Sequence, residues 1–195
     1  MEKKLDFTEL LKGAIDTGLK NFPSLVGAVA LWLVTIWIPY LNVGTTIAII
    51  TLPAALSRGK VISPVEIFDE KYRKFMGEFF LVTGLRSIIL VPAYFFMIIP
   101  GIIMQIAYCL STLLVVDKGK GASEALQLSN KLTHGNKLTI FLAQLILGAV
   151  FVVVFLLANW IHTVLGIIIL ILFIPIILGL MAHIYGALAA DVKEE

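Results

Sequence analysis

An arginine set inside an apolar run is the side chain of this sequence best suited to chemistry. Arg86 lies eight residues after Glu78, within the stretch FFLVTGLRSIILVPAYFF. At 1.5 Å per residue that is roughly 12 Å into a helix. Charge at such a depth is costly, so an ionisable residue there is a candidate functional group. Other polar groups stand at similar distances from the charged ends of their own runs. His183 precedes Asp191 by eight residues, Gln144 follows Lys137 by seven, and Ser111 and Thr112 precede Asp117 by six and five. If the runs stand alike, these groups share one depth. They would then form a basic pocket for an anionic group such as a lipid phosphate. Arg86 would be the forked donor, with His183 and Gln144 as secondary donors. The competing reading has Arg86 reaching the interface along its aliphatic stem or bonding to a neighbouring helix, and His183 packed between helices.

Other chemistries find no pattern here. His134, His162 and His183 are far apart in sequence, so no metal site is expected. Neither a Gly-rich phosphate loop nor a Ser-centred nucleophile elbow occurs, and no cofactor is expected. The single cysteine, Cys109, excludes an intrachain disulfide and reads as a small apolar filler. A net charge of +2 gives no argument for a nucleic-acid partner.

The elements that position these groups follow from composition. The chain is 59% hydrophobic and 14% charged over 195 residues. Soluble domains carry about 25% charged residues, so lipid is the expected solvent. The N-terminal segment MEKKLDFTELLKG mixes acids and bases and does not read as a secretory signal. A spanning helix needs about 20 apolar residues. Six candidates emerge: residues 23–40, 41–56, 79–99, 101–116, 138–160 and 163–190. The last contains Pro175, which predicts a kink. Tight turns around Pro39, Pro100 and Asn159 join them in pairs, and the first two prolines are expected to open the returning helix.

Of the fifteen Lys and Arg, all but Arg86 fall in the N-terminal segment, the two long connections or the tail. The three tight turns carry none. The positive-inside rule therefore predicts six spans with both termini in the cytoplasm of a multi-pass plasma (inner) membrane protein. Trp32, Trp37, Tyr40 and Trp160 approach the outer turns and read as interfacial anchors. Ala182, Gly186 and Ala190 form a small-residue stripe for close helix packing.

A threefold pattern runs along the chain. Glu9, Glu66 and Glu124 follow one another at intervals of 57 and 58 residues, and each is followed twelve residues later by Asn21, Glu78 or Asn136. Asp6, Ser63 and Gly121 stand three residues before the glutamates, at capping-box spacing. Apolar faces at helical spacing follow. Phe7, Leu10, Leu11, Ala14, Ile15, Leu19 and Phe22 form the first. Pro64, Ile67, Phe68, Tyr72, Phe75, Met76 and Phe79 form the second. The third is interrupted by Ser129 and Asn130. Gly77 and Gly135 are expected to turn the chain into the bilayer. The expected fold is an all-α integral membrane protein in one domain, residues 1–195. Six transmembrane helices form three hairpins, each preceded by a cytoplasmic interfacial amphipathic helix, in repeats at about 6–57, 63–116 and 121–191.

Residues Pro100 to Phe141 add a resemblance. This segment is similar to the membrane domain attached to some bacterial glycerophosphoryl diester phosphodiesterases, and to related six-span families. Their pattern is carried by Pro100 and Gly101, Asp117, Glu124 to Leu126, Ser129 with Asn130, and Gly135 with Asn136. Asn130 stands where the family usually has tryptophan. The spans are expected to take up these 195 residues, with no phosphodiesterase domain among them, so the resemblance implies a membrane module without enzymatic activity. The expected function is a non-enzymatic membrane protein that organises an assembly or binds anionic lipid. Its expected partners are membrane lipids, with protein partners or a second copy of the chain as further candidates. A small transporter or channel is the alternative, disfavoured by the lack of carboxylates inside the spans.

Overall fold

A computed structural model describes residues 4–193; Lys3, one of the N-terminal cations, lies outside them. The chain is all-helical. Helix α1 covers Phe7–Lys20, α2 Phe22–Thr35 and α3 Pro39–Ser57. A short 3-10 turn at Pro64–Phe68 leads to α4, Glu70–Lys74, and α5, Met76–Phe96. Helices α6, Ile98–Ala107, and α7, Ser111–Lys118, continue one another across a break. Then come α8, Ala122–Thr133, α9, Lys137–Ile161, and α10, Thr163–Ala189.

Among the described residues, five stretches are long and apolar enough to cross a membrane: α3, α5, α6 with α7, α9 and α10. A sixth exists only if α1 and α2, bent by 72° at Asn21, count as one. The first expected span is therefore shorter than its apolar run. Helix α2 has 14 residues, roughly 21 Å at 1.5 Å per residue, against a hydrocarbon thickness of about 30 Å.

The turns behave as their residues require. Pro39 opens α3, while Pro100 sits two residues inside α6. His162 replaces proline at the third turn, where its Nδ1 accepts from the Val164 N–H at 3.2 Å. Helix α10 stays one helix through Pro175.

The three amphipathic segments differ from one another. In α1, Asp6 caps as expected, accepting from the Thr8 and Glu9 N–H groups at 2.8 and 2.9 Å. Its core face is Leu10, Ala14 and Gly18, whereas Ile15 and Leu19 are exposed. The second segment is not one helix. Asp69 accepts from the Lys71 N–H at 2.9 Å and starts α4 afresh. Ser63 makes no side-chain cap, and the chain turns at Phe75, while Gly77 lies within α5. In the third, Glu78 replaces a local cap, accepting from the Ala122 N–H at 3.1 Å. Gly135 does turn the chain, at φ 77°.

Glycine brings α1 against α10 in antiparallel contact. A Cβ on Gly179 would stand 2.3 Å from the Ala14 carbonyl oxygen, and one on Gly18 would stand 2.8 Å from that of Pro175. The stripe on α10 also packs within the chain, with Gly186 against Ser57. The α6–α7 break is closed by α8. Ser129 Oγ donates to the Ala107 carbonyl at 2.7 Å and accepts from the Leu110 N–H at 3.1 Å. The serine that interrupts the third apolar face in sequence is thus fully buried in the fold.

The Pro39 turn departs most from the sequence expectation. A Cβ on Gly44 would lie 2.9 Å from Arg73 Cγ, and Tyr40 shares a shallow cavity with Glu70, Arg73 and Lys74. The turn and that charged stretch therefore lie side by side, not a hydrocarbon thickness apart. Trp32 is no free anchor either, since its Nε1 donates to Thr46 Oγ1 at 2.9 Å. Trp37 and Trp160 are exposed.

Candidate functional site: polar groups of the helices and the charged end

Of the five polar residues singled out above, His183 and Gln144 line different cavities, while Ser111 and Thr112 are neighbours on α7. Arg86 is half-buried on α5 and, among the described residues, has no hydrogen bond or ion pair. On its own face of α5, Val82 is buried and Leu90 half-buried, whereas Leu81, Ile88 and Val91, on other faces, are exposed. His183 lies against Gly13 of α1 and lines a cavity of about 300 Å³ with Thr17, Ser57 and Gly186. Gln144 lines a different one, of about 200 Å³, with Gln105, Phe151 and Phe173. Ser111 is buried and donates to the Tyr108 carbonyl at 2.8 Å; Thr112 is buried beside it. His183 and Gln144 thus sit in different cavities, neither lined by Arg86, Ser111 or Thr112. The helices do not stand alike, because α1 inserts against α10 and α8 fills the α6–α7 break.

A second polar centre lies at the charged end of the helices. Asp117, in the last turn of α7, accepts from Arg58 Nη1 at 2.7 Å and from the Tyr185 hydroxyl at 2.8 Å. Those partners end α3 and lie near the end of α10, so three helix ends meet at one carboxylate. Lys118 Nζ approaches the same carboxylate at 3.8 Å. Beside it, Glu66 accepts from Lys60 at 2.8 Å and from Lys71 at 3.4 Å. Lys71 also meets Asp69 at 3.3 Å. The two groups of charges border one cavity of about 260 Å³, lined also by Thr51, Ala54 and Tyr72.

Electrostatics follow from these contacts. Burial works to raise Glu66, but its bonds to Lys60 and Lys71 outweigh that and hold it below the usual carboxylate range. Burial pushes the Tyr72 phenol up. Burial lowers Lys71, and its neighbours Tyr72, Asp69 and Glu66 more than restore it, leaving it raised. The arrangement can hold an anion against cations whose own counter-charges are fixed by the fold.

Sequence reasoning misses this centre because its members are inconspicuous one by one. Glu66 satisfies capping spacing, and Asp117 merely ends an apolar run. Tyr185 carries no signal at all. Among the described residues, no three His, Cys, Asp or Glu gather as a metal site would require. Neither family models nor curated proteins nor solved structures match this chain.

Proposed function

We propose that the chain is a non-enzymatic, multi-pass membrane protein of the cell inner membrane that engages anionic lipid through Arg86. The observation that carries this reading is the half-buried arginine without a hydrogen-bond or ion-pair partner among the described residues, on a helix with exposed apolar side chains along its other faces. In hydrocarbon such a group requires an anion or a path to the interface. A lipid phosphate supplies the anion, and the planar fork matches it bidentately.

The topology we propose has both ends on the cytoplasmic face. Helices α5 with α6–α7, and α9 with α10, cross as pairs. The α2–α3 hairpin returns to its own side, because its turn lies beside Arg73. An even number of crossings results whether or not that hairpin spans. We also read the chain as three copies closed in a ring. Asn21 accepts from the Ile62 N–H at 3.3 Å, Glu78 from Ala122 at 3.1 Å, and Asn136 from Leu5 at 2.7 Å. Each repeated polar position thereby holds the head of the next copy, and the third returns to the first. The α6–α7 break would suit a transporter. Ser129 seals it instead, which supports a packing role.

Native mass spectrometry of protein purified with bilayer lipid tests the Arg86 reading. Arg86→Lys should weaken retention of anionic lipid and Arg86→Leu should nearly abolish it. Equal retention in the parent and both variants would make Arg86 a structural residue near the interface.

A further inference from the structure

We propose that the cavity where α3, α4 and α7 meet is a binding site for a phosphate-bearing anion, held by Arg58, Lys60 and Lys71. It involves none of the residues assigned above to lipid at Arg86.

Charge placement carries the inference. Glu66 and Asp117 have side chains only 13% and 8% exposed, whereas Arg58, Lys60 and Lys71 are 54%, 55% and 47% exposed. The carboxylates form the floor and the cations reach over the mouth. Arg58, Lys60 and Lys71 approach these two carboxylates within 4 Å, so three cations of the cavity stand over the two acids of its floor. Asp69 also pairs with Lys71, from the exposed first turn of α4 rather than from the floor. Donors are in excess as well. Guanidinium carries five and ammonium three. Among the described residues, Arg58 donates once, to Asp117, and Lys60 once, to Glu66. The spare donors let these cations take an arriving anion without giving up their carboxylates.

The cavity's size and walls limit the ligand. About 260 Å³ falls just below the roughly 300 Å³ at which small-molecule pockets begin. That suits a phosphate with a short polar stem and excludes a whole lipid. Ala54, Ala55 and Val116 give one apolar wall, and Thr51 and Tyr72 add hydroxyls. The shared chemistry is a phosphate ester, either the head group of a membrane lipid or a soluble metabolite.

Two arms separate those sources. The full chain is placed in phosphatidylcholine nanodiscs and titrated calorimetrically with glycerol 3-phosphate. In parallel, discs containing phosphatidylglycerol are assayed for lipid retained in native mass spectrometry. Saturable binding in the first arm identifies a soluble ester, and retention in the second alone identifies a head group. In the positive arm, the double variant Lys60→Ala/Lys71→Ala should bind at least tenfold more weakly, and Lys60→Arg/Lys71→Arg should recover most of the loss. Glu66→Gln, which removes the competing carboxylate, should bind severalfold more tightly. Lys12→Ala, on the exposed side of α1, serves as the charge control and should match the parent. Arg86→Leu should leave the first arm unchanged, which keeps this site separable from the lipid reading. The proposal is overturned if neither arm shows binding above the double variant, or if Lys12→Ala weakens it equally.

Discussion

At the residue scale, position within the fold decides what a polar side chain does. Ser129 and Glu66 make the point from opposite directions. Ser129 reads in sequence as a flaw in an apolar face, yet it bonds both Ala107 and Leu110 where α6 gives way to α7. Removing its hydroxyl leaves the buried Leu110 N–H without that acceptor and the Ala107 carbonyl with only a long contact from Thr133 Oγ1 at 3.5 Å. Ser129→Ala should therefore cost about 1–3 kcal/mol, read as a lower melting temperature in detergent. A melting curve identical to the parent's would mean that water or a shifted backbone replaces the hydroxyl. Glu66 reads as a capping residue, yet its carboxylate takes Lys60 and Lys71 instead. Its pKa is lowered in the fold, so it contributes stability above the ordinary carboxylate pKa of about 4.3. That contribution is lost as pH falls below this value and through the lowered folded pKa. Glu66→Gln should flatten that part of the stability–pH curve, measured by thermal unfolding from pH 6 down to pH 3. An unchanged slope would show that the pairing does not persist in solution.

At the element scale, the contact of α1 with α10 depends on backbone approach more than on apolar area. A methyl group at Gly179 would meet the Ala14 carbonyl, which is backbone and cannot swing aside. Gly179→Ala should destabilise by about 1–3 kcal/mol through overpacking. Gly148 has open space around its added Cβ. There the same substitution should be neutral or stabilising by up to about 1 kcal/mol, because alanine restricts the unfolded helix. Thermal unfolding of the two variants side by side checks the pair. Equal effects at both sites would rule out close packing as the cause. The helix pattern itself is largely legible in the sequence. Apolar runs longer than a soluble helix needs mark α5, α9 and α10, and their ends agree with the chain within a few residues. The second amphipathic segment is the exception, because helical spacing of apolar residues does not reveal a competing cap. Asp69 supplies that cap from within the segment.

At the scale of the whole molecule, the arrangement of helices sets which residues face water together. With Gly44 against Arg73, the proposed topology puts the Pro39 turn on the same side as the charged connection. A cysteine at Asn42 should be labelled by an impermeant reagent from the same side as one at Lys71. A cysteine at Asn159 should be labelled only from the other side, where one at Lys131 should stay unlabelled. Labelling of Asn42 with Asn159 would restore a crossing α2–α3 hairpin.

Sequence alone determined the solvent, the helical class and the candidate spans, because burial in lipid demands long apolar runs and those are read directly from composition. It also marked Arg86, since a charge inside such a run is conspicuous wherever the run stands. Tertiary structure alone decided which polar groups meet. Distances along separate helices do not add to a common depth when one helix inserts beside another, as α1 does on α10 and α8 does at the α6–α7 break. Arg58, Asp117 and Tyr185 converge from three helices that are remote in sequence. No periodicity in the chain encodes such a meeting, because it depends on how the helices pack against one another.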